Sequence, residues 1–292
     1  MNPHHPSFLE LDVPPASQDQ ARFEIIPVPL EHSVSYGRGT AAGPGKLLEA
    51  SLQLEAYDGE GVPAHVGIYT GPAVDCSADT ATVLQQIEAR VAVALDGGRV
   101  PIVIGGEHTV TLGAVRALAV RPEPFGVVQF DAHADLREQY EGNDFSHACV
   151  MRRIVELDVP VYQIGVRSFS AAEADYRQVR AIPFYDAEAL ARPDAPRLTL
   201  PPDFPARIYI TFDVDALDPA VLPGTGTPEP GGLFWYEALR LIDRVLEGRH
   251  LIGFDVTELA PIAGSSVSEF TAAKLTYRLM AAALRVPMSG KL

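Results

Sequence analysis

The chain of 292 residues contains little cysteine and no long apolar run. Its two cysteines, Cys76 and Cys149, are too few for a disulfide framework and are typical of a protein in a reducing cytoplasm. No apolar segment reaches the roughly 20 residues that a membrane-spanning helix needs. Residues 1–20 are polar and proline-rich, without the basic start and apolar stretch of a signal peptide. These absences predict a cytoplasmic protein that does not bind a membrane.

Basic residues are also scarce, because 23 Lys and Arg stand against 38 Asp and Glu, for a formal net charge of −15. Nucleic-acid-binding proteins present a basic surface, so this class is excluded. A small cationic substrate fits an acidic protein better. With 47% hydrophobic residues the chain can bury a full core, which excludes intrinsic disorder.

Apolar segments alternate with helical patterns along the sequence. Continuous apolar strands between helices indicate a parallel sheet with helices on both faces. We therefore predict a three-layer α/β/α fold around a mainly parallel sheet of about eight strands. The composition does not change along the chain, so we expect a flexible extension over 1–20 and one domain over 21–292. The predicted strands cover 23–30, 64–69, 101–104, 125–130, 161–166, 181–185, 207–212 and 250–255, and the predicted helices cover 46–54, 78–95, 109–119, 147–157, 235–247 and 269–284.

Three potential metal ligands, Asp131, His133 and Asp135, follow the predicted apolar strand at 125–130 and occupy alternate positions. In an extended chain, residues two apart point the same way, so these side chains converge at the strand end. Burying carboxylates together without a cation is costly, which favours a metal site. A surface turn is the alternative for these residues taken alone.

Two further strands end in the same kind of residue. Asp213 and Asp215 follow the strand at 207–212, and His108 follows the strand at 101–104. Ligands of parallel sheets bind outside the carboxyl ends of the strands, where all six side chains are predicted to lie. Four carboxylates balance the charge of two divalent cations, and an oxygen-rich set with some imidazole suits manganese better than zinc. The sequence therefore predicts a binuclear metal site.

Four motifs resemble the signatures of the ureohydrolases, the family of arginase and agmatinase. They are Gly-Gly-Glu-His at 105–108, Asp-Ala-His-Ala-Asp at 131–135, Asp-Val-Asp-Ala-Leu-Asp-Pro at 213–219 and Pro-Gly-Thr-Gly-Thr-Pro-Glu-Pro-Gly-Gly at 223–232. The resemblance runs from about Ser33 to the C-terminus. It implies an arginase-like fold, two Mn²⁺ ions per subunit, a homo-oligomer (trimer or hexamer) and hydrolysis of a guanidino compound to urea and an amine.

The same resemblance implies roles for single residues. Asp131 and Asp213 would bridge the two ions, His108 and Asp135 would complete one ligand set, and His133 and Asp215 the other. Asp135 would also orient the attacking water.

Three residues outside the ligand set match family positions. Glu258 matches the glutamate that binds the substrate guanidinium, His147 the proton-shuttle histidine, and Thr227 a position that lines the site. The alternatives are a surface glutamate, a helix-capping histidine and a loop-shaping threonine. Asp255, inside the last strand, is expected to support a ligand.

The substrate depends on Arg137, which stands where arginases commonly carry an asparagine that recognises the amino-acid end. Acidic residues follow in the loop at Glu138, Glu141 and Asp144, and could meet a cationic amine. Agmatine, giving putrescine and urea in polyamine biosynthesis, is the first choice. The alternatives are N1-aminopropylagmatine, guanidinobutyrate, whose carboxylate Arg137 could bind, and arginine. From other classes, a metal-dependent deacetylase of acylated amines and a catalytically silent homologue stay open.

Overall fold

A computed structural model describes residues 5–285, and eight strands of this part of the chain form one sheet. The strand order is β2-β1-β3-β8-β7-β4-β5-β6, and every pairing is parallel. The predicted parallel sheet is confirmed. The strands are β1 (Phe23–Val28), β2 (Ile68–Thr70), β3 (Val100–Gly105), β4 (Gly126–Phe130), β5 (Val161–Ile164), β6 (Phe184–Tyr185), β7 (Arg207–Asp213) and β8 (His250–Thr257).

Helices cover both faces of the sheet, because its strands are apolar on both sides. In β1, Phe23 and Ile25 belong to the core that packs under α1, α7 and α8, whereas Ile26 and Val28 belong to the core under α2, α3 and α4. The three-layer α/β/α prediction is therefore confirmed. The helices are α1 (Gly43–Ser51), α2 (Thr80–Asp96), α3 (Val110–Ala119), α4 (Val150–Val155), α5 (Ala171–Val179), α6 (Ala187–Leu190), α7 (Trp235–Val245) and α8 (Val267–Arg285).

Two helices, α5 and α6, were not predicted from the sequence. The residues of α5 are mostly polar and give no continuous apolar stripe. Its beginning is nevertheless marked by a capping box, in which Ser170 N donates to Glu173 Oε2 at 2.8 Å and Glu173 N to Ser170 Oγ at 3.4 Å. The predicted strand at 64–69 is also different, since Pro63–Val66 is a 3₁₀ turn and β2 begins only at Ile68.

Part of the segment predicted to be a flexible extension packs against the domain. Phe8 and Leu9 are buried, and their backbone N–H groups donate to Thr70 Oγ1 and Ser51 Oγ, each at 3.0 Å. These two adjacent apolar side chains dock this part of the polar segment beside α1 and β2. Residues 1–4, the rest of the predicted extension, lie outside the described residues. Among residues 5–285, no helix is long and apolar enough to cross a membrane.

The four central strands, β3, β8, β7 and β4, are neighbours in the sheet. Phe130 of β4 pairs in register with Phe212 of β7, and their stacked rings lie 5.1 Å apart between centroids. Asp131 and Asp213 therefore leave adjacent strands at the same level. Because all four strands are parallel, the residues that follow them meet at one edge of the sheet.

Candidate metal centre

Asp131 lies between the two predicted histidine ligands. Its Oδ2 is 3.1 Å from Nδ1 of His108, and its Oδ1 is 3.6 Å from Nδ1 of His133. Asp131 and His108 are fully buried, whereas the His133 side chain keeps 24% of its surface exposed. One carboxylate thus faces both imidazoles, as the predicted bridging role requires.

The other three carboxylates complete two overlapping groups. Nδ1 of His108 lies 2.9 Å from Asp135 Oδ2 and 3.5 Å from Asp213 Oδ2, and Nδ1 of His133 lies 3.0 Å from Asp215 Oδ2. The structure therefore brings all six predicted ligands together at the carboxyl edge. Two triplets of these residues share Asp131, namely His108, Asp131 and Asp213, and Asp131, His133 and Asp215. In each triplet, one potential ligand atom from each residue lies within 4.8 Å of those of the other two residues.

Backbone groups orient three of these carboxylates. Asp131 Oδ1 accepts from His133 N at 2.6 Å, Asp213 Oδ1 from Asp215 N at 2.9 Å, and Asp215 Oδ1 from Ala132 N at 3.0 Å. Asp135, with a φ of 52°, adopts the left-handed conformation that costs a non-glycine residue free energy. Its side chain is thereby turned back toward His108.

The electrostatics of this cluster favour bound cations. Burial, with the charges of Asp215 and Asp131, raises the pKa of Asp213 well above its usual range. Burial and the charge of Asp131 raise the pKa of Asp135 to about 7. Burial acts to lower the pKa of His133, but the charge of Asp215 and the hydrogen bonds to Asp131 and Asp215 outweigh it and raise this pKa to about 12. Carboxylates held this close are stable in the ionised form only beside positive charge, so the donor set fits divalent metal ions.

Two residues that sequence reasoning missed, Thr211 and Tyr209, support His108 from the second side of its ring. Nε2 of His108 lies 2.7 Å from Thr211 Oγ1, which donates to Asp255 Oδ1 at 2.7 Å, and Tyr209 OH donates to Asp255 Oδ2 at 2.9 Å. Such a chain leaves Nδ1 free to bind a metal ion and fixes the ring. Residues 209, 211 and 213 alternate along β7, a spacing that could have revealed them.

Glu258 lies at the end of β8, beside His108. Its carboxylate is buried, and Oε1 accepts a hydrogen bond from the His108 backbone N–H at 2.6 Å. Burial raises the pKa of this carboxyl well above its usual range. Glu258 also has a positive φ of 63°, which is unusual for glutamate. A buried carboxylate in this position is suited to pair with a cationic group such as a guanidinium.

His147 and Thr227 line a cavity of about 300 Å³ that also reaches His133 and Asp135. Burial and the charges of His108 and His133 lower the pKa of His147 to about 4. Its backbone N–H donates to Ser33 Oγ at 3.1 Å, and its Nδ1 lies 3.4 Å from the same oxygen. Thr227 Oγ1 donates to Asp215 Oδ2 at 3.3 Å, so this residue lines the cavity and also orients a predicted ligand.

Arg137 lies at the same cavity, with its guanidinium carbon 5.2 Å from the Tyr140 ring centroid and its Nε 3.8 Å from Glu173 Oε2. The acidic loop residues Glu138 and Asp144 are instead part of a separate hollow. The structure therefore does not bring these two carboxylates to the cavity beside the predicted metal ligands.

Buried carboxylates and imidazoles at the carboxyl edge of a parallel α/β/α sheet are suited to a metal-dependent enzyme. A sequence model of the arginase family matches residues 21–282, and the chain belongs to this family of binuclear metal-dependent ureohydrolases, which hydrolyse guanidino compounds.

Individual relatives agree with the family over nearly the whole chain. The N(1)-aminopropylagmatine ureohydrolase of a Synechocystis species is 41% identical, over 94% of this chain and 92% of that protein. The agmatinase of Pyrococcus horikoshii is 30% identical, over 95% and 97%. The crystal structure of the agmatine ureohydrolase of Thermoplasma volcanium superposes with a TM-score of 0.81 at 29% identity, covering 96% of this chain and 95% of that one.

Proposed function

We propose that this ureohydrolase is manganese-dependent and acts on guanidino compounds with an amine tail, N1-aminopropylagmatine first and agmatine second. Loss of the guanidino carbon as urea would convert N1-aminopropylagmatine to spermidine and agmatine to putrescine, in polyamine biosynthesis. The convergence of the six predicted ligand side chains beside the buried carboxylate of Glu258 carries the reaction class. The 41% identical relative, named for the longer amine, supports placing it before agmatine, which the motifs alone favoured.

Manganese is supported by the chemistry of the donors, because four carboxylates with two imidazoles form the oxygen-rich set that this ion accepts. His108, Asp131, Asp135 and Asp213 would hold one ion, and Asp131, Asp213, His133 and Asp215 the other. When bound, the two ions supply a polarised water that is nucleophilic near neutral pH.

The remaining steps belong to side chains of the chain itself. Glu258 binds the guanidinium through charge-assisted hydrogen bonds and so places its carbon for attack. Asp135 accepts a hydrogen bond from the attacking water and orients it. His147, whose imidazole is neutral near pH 7, accepts the proton that the attacking water gives up and passes it to the leaving amine nitrogen, which completes cleavage of the C–N bond.

The cavity wall supports a tail that ends in an amine rather than a carboxylate. The aromatic side chains of Tyr140 and Phe169 line the cavity, and rings of this kind attract alkylammonium groups as they attract the guanidinium groups of Arg137 and Arg177 here. Arg137, the arginine among the described residues that line this cavity, already lies near the carboxylate of Glu173 and over the ring of Tyr140. This arrangement is less favourable for guanidinobutyrate and arginine.

The test is urea release by manganese-loaded protein from N1-aminopropylagmatine, agmatine, guanidinobutyrate and arginine at equal concentration. We expect kcat/KM to decrease in the order just given, with N1-aminopropylagmatine and agmatine well ahead of the two compounds that carry a carboxylate. A preference for guanidinobutyrate or arginine would contradict the substrate proposal. Bound metal without urea from any of the four would contradict the reaction, and acetate release from acetylated amines would then favour the deacetylase.

We also propose that the only partners are the small cationic substrate and further copies of the same chain, as a trimer or hexamer. The net charge of −15 supports the first part. Membership of the arginase family supports the second. Light scattering on the purified protein tests the oligomer, and a monomer at all concentrations would contradict it.

A further inference from the structure

Two glutamines, Gln129 of β4 and Gln163 of β5, are fully buried inside the sheet. They are direct partners in the parallel pairing of the two strands. Central strands covered on both faces are normally apolar throughout, and a buried amide without partners costs free energy. Both side chains therefore need a reason to be there, and their hydrogen bonds supply one.

The two amides form one continuous chain of hydrogen bonds that ends at a predicted metal ligand. Nε of Arg177 donates to Gln163 Oε1 at 2.9 Å, Gln163 Nε2 donates to Gln129 Oε1 at 2.5 Å, and Gln129 Nε2 donates to Asp131 Oδ2 at 2.7 Å. At the outer end, Nη1 of Arg177 contacts both carboxylate oxygens of Asp186, at 3.0 and 2.9 Å. We name these residues the glutamine relay: Asp186, Arg177, Gln163, Gln129 and Asp131.

The relay has a fixed direction. A guanidinium can only donate hydrogen bonds and an ionised carboxylate can only accept them. Each glutamine must therefore turn its oxygen toward Arg177 and its amide nitrogen toward Asp131. The same nitrogens donate to the backbone carbonyls of Ala134, at 2.8 Å, and His133, at 3.3 Å. The relay thus holds both the Asp131 carboxylate and the backbone of the ligand segment 131–135.

We propose that Gln129, Gln163 and Arg177 are positioning residues that set the metal affinity of the site through Asp131. This inference rests on the proposed role of Asp131 as a metal ligand. Hydrogen-bond partners behind a ligand fix its orientation, and their loss typically lowers metal affinity by about 10- to 100-fold. The positive charge of Arg177, buried at 4% exposure, polarises the amides in the direction that favours donation to Asp131.

Gln163→Glu separates this role from simple packing. The substituted carboxylate has nearly the same size and pairs with Arg177, so the outer half of the relay and the fold are preserved. It cannot donate to Gln129 Oε1 or to the Ala134 carbonyl, and Gln129 must then turn its own oxygen toward Asp131. We expect the manganese affinity, measured by competition with a chelating dye, to fall by about tenfold or more. The metal-free protein should remain folded but lose some stability, because the Ala134 carbonyl is left without its side-chain donor.

Gln129→Met, which removes the last donor, should lower the affinity at least as much. The double variant, Gln129→Met with Gln163→Glu, should bind manganese as tightly as Gln129→Met alone, because both substitutions break the same chain of hydrogen bonds. Arg99→Met is the matched control. Arg99 also pairs with a buried carboxylate, that of Glu24, but this pair lies near the amino end of β1, away from the predicted metal ligands. It should cost stability and leave manganese affinity unchanged.

Unchanged manganese affinity in both Gln163→Glu and Gln129→Met would overturn the relay, whatever happens to stability. If either variant fails to fold, Asp186→Asn at the partly exposed end tests the same chain, with a several-fold loss of affinity expected and no loss contradicting it. Failure of the proposed function is distinguishable, because the unaltered protein would then bind no manganese or, with manganese bound, release no urea, whereas failure of the relay would leave both properties of the unaltered protein intact.

Discussion

Glu258 combines three features that a structural glutamate rarely shares: burial, a left-handed backbone and a carboxylate beside a predicted metal ligand. Backbone strain of this kind persists only where the surrounding structure enforces it, and it concentrates at functional sites. The position after β8 could be predicted from the sequence. The positive φ and the hydrogen bond to His108 N could not, because both depend on how β8 pairs with β3.

Glu258→Gln should leave metal binding intact and lower kcat/KM by roughly 10- to 100-fold, since one charge-assisted hydrogen bond is worth about 1.5–3 kcal/mol. Steady-state urea release and the manganese content of the same sample measure both quantities. Glu24→Gln is the control, since Glu24 is also a buried glutamate but lies near the amino end of β1. Full activity of Glu258→Gln would exclude the guanidinium-binding role.

His147 predicts a pH dependence of stability in the metal-free protein. Because its pKa is lowered from 6.5 to about 4 on folding, only the unfolded chain takes up the proton between these values. The contribution of His147 to the free energy of unfolding is therefore fully present above pH 6.5 and is lost as the pH falls toward 4. At pH 5 the loss should be about 2 kcal/mol relative to pH 7.

Denaturant unfolding of the metal-free protein and of His147→Gln, at pH 7 and pH 5, measures this difference. The stability of His147→Gln should fall less between the two pH values, whereas exposed His65→Gln should behave like the unaltered chain. Equal losses in all three proteins would show that the His147 imidazole is not shielded in the folded state.

At the scale of elements, helix α5 carries residues that act at both the cavity and the relay. Its capping box joins Ser170 and Glu173, and Glu173 Oε1 also accepts from Leu136 N at 3.1 Å, next to the last predicted ligand. The mostly polar residues of α5 have no apolar periodicity that would predict a helix, although the Ser-x-x-Glu spacing of its capping box is present in the sequence. The contact with Leu136 links segments 37 residues apart, which no local pattern indicates.

Ser170→Ala should lower the free energy of unfolding by about 1 kcal/mol, the usual cost of losing a helix N-cap. Denaturant titration measures the change. Ser168→Ala, which removes a nearby cavity hydroxyl that caps no described helix, should be close to neutral. A neutral Ser170→Ala would mean that the capping box does not stabilise α5.

At the scale of the whole molecule, the parallel sheet collects residues that are far apart in sequence. The strand ends with His108, Asp131 and Asp213 could be predicted, because an apolar run followed by alternating polar residues is a local pattern. The register that sets Phe130 beside Phe212, and the path from Asp186 to Asp131, could not be predicted, since both depend on strand order. The docking of Phe8 and Leu9 on the core is another long-range contact that was missed.

Metal removal should destabilise the whole fold, because ions that bind only the folded chain stabilise it by about 2.7 kcal/mol per site at a hundredfold excess over Kd. Adding manganese to chelator-treated protein should therefore raise Tm in a concentration-dependent way. Glu24→Gln should retain the response. An unchanged Tm over the full titration would argue against metal binding at this edge.

The most direct test of the central claim is a paired measurement of manganese content and urea release in the unaltered protein and in Asp131→Ala. Asp131 faces both histidines, so its loss should remove both ions together. We predict two manganese ions per subunit and urea from N1-aminopropylagmatine for the unaltered chain, and neither for Asp131→Ala. Full urea release by Asp131→Ala, or by the unaltered protein without metal, would contradict the binuclear site.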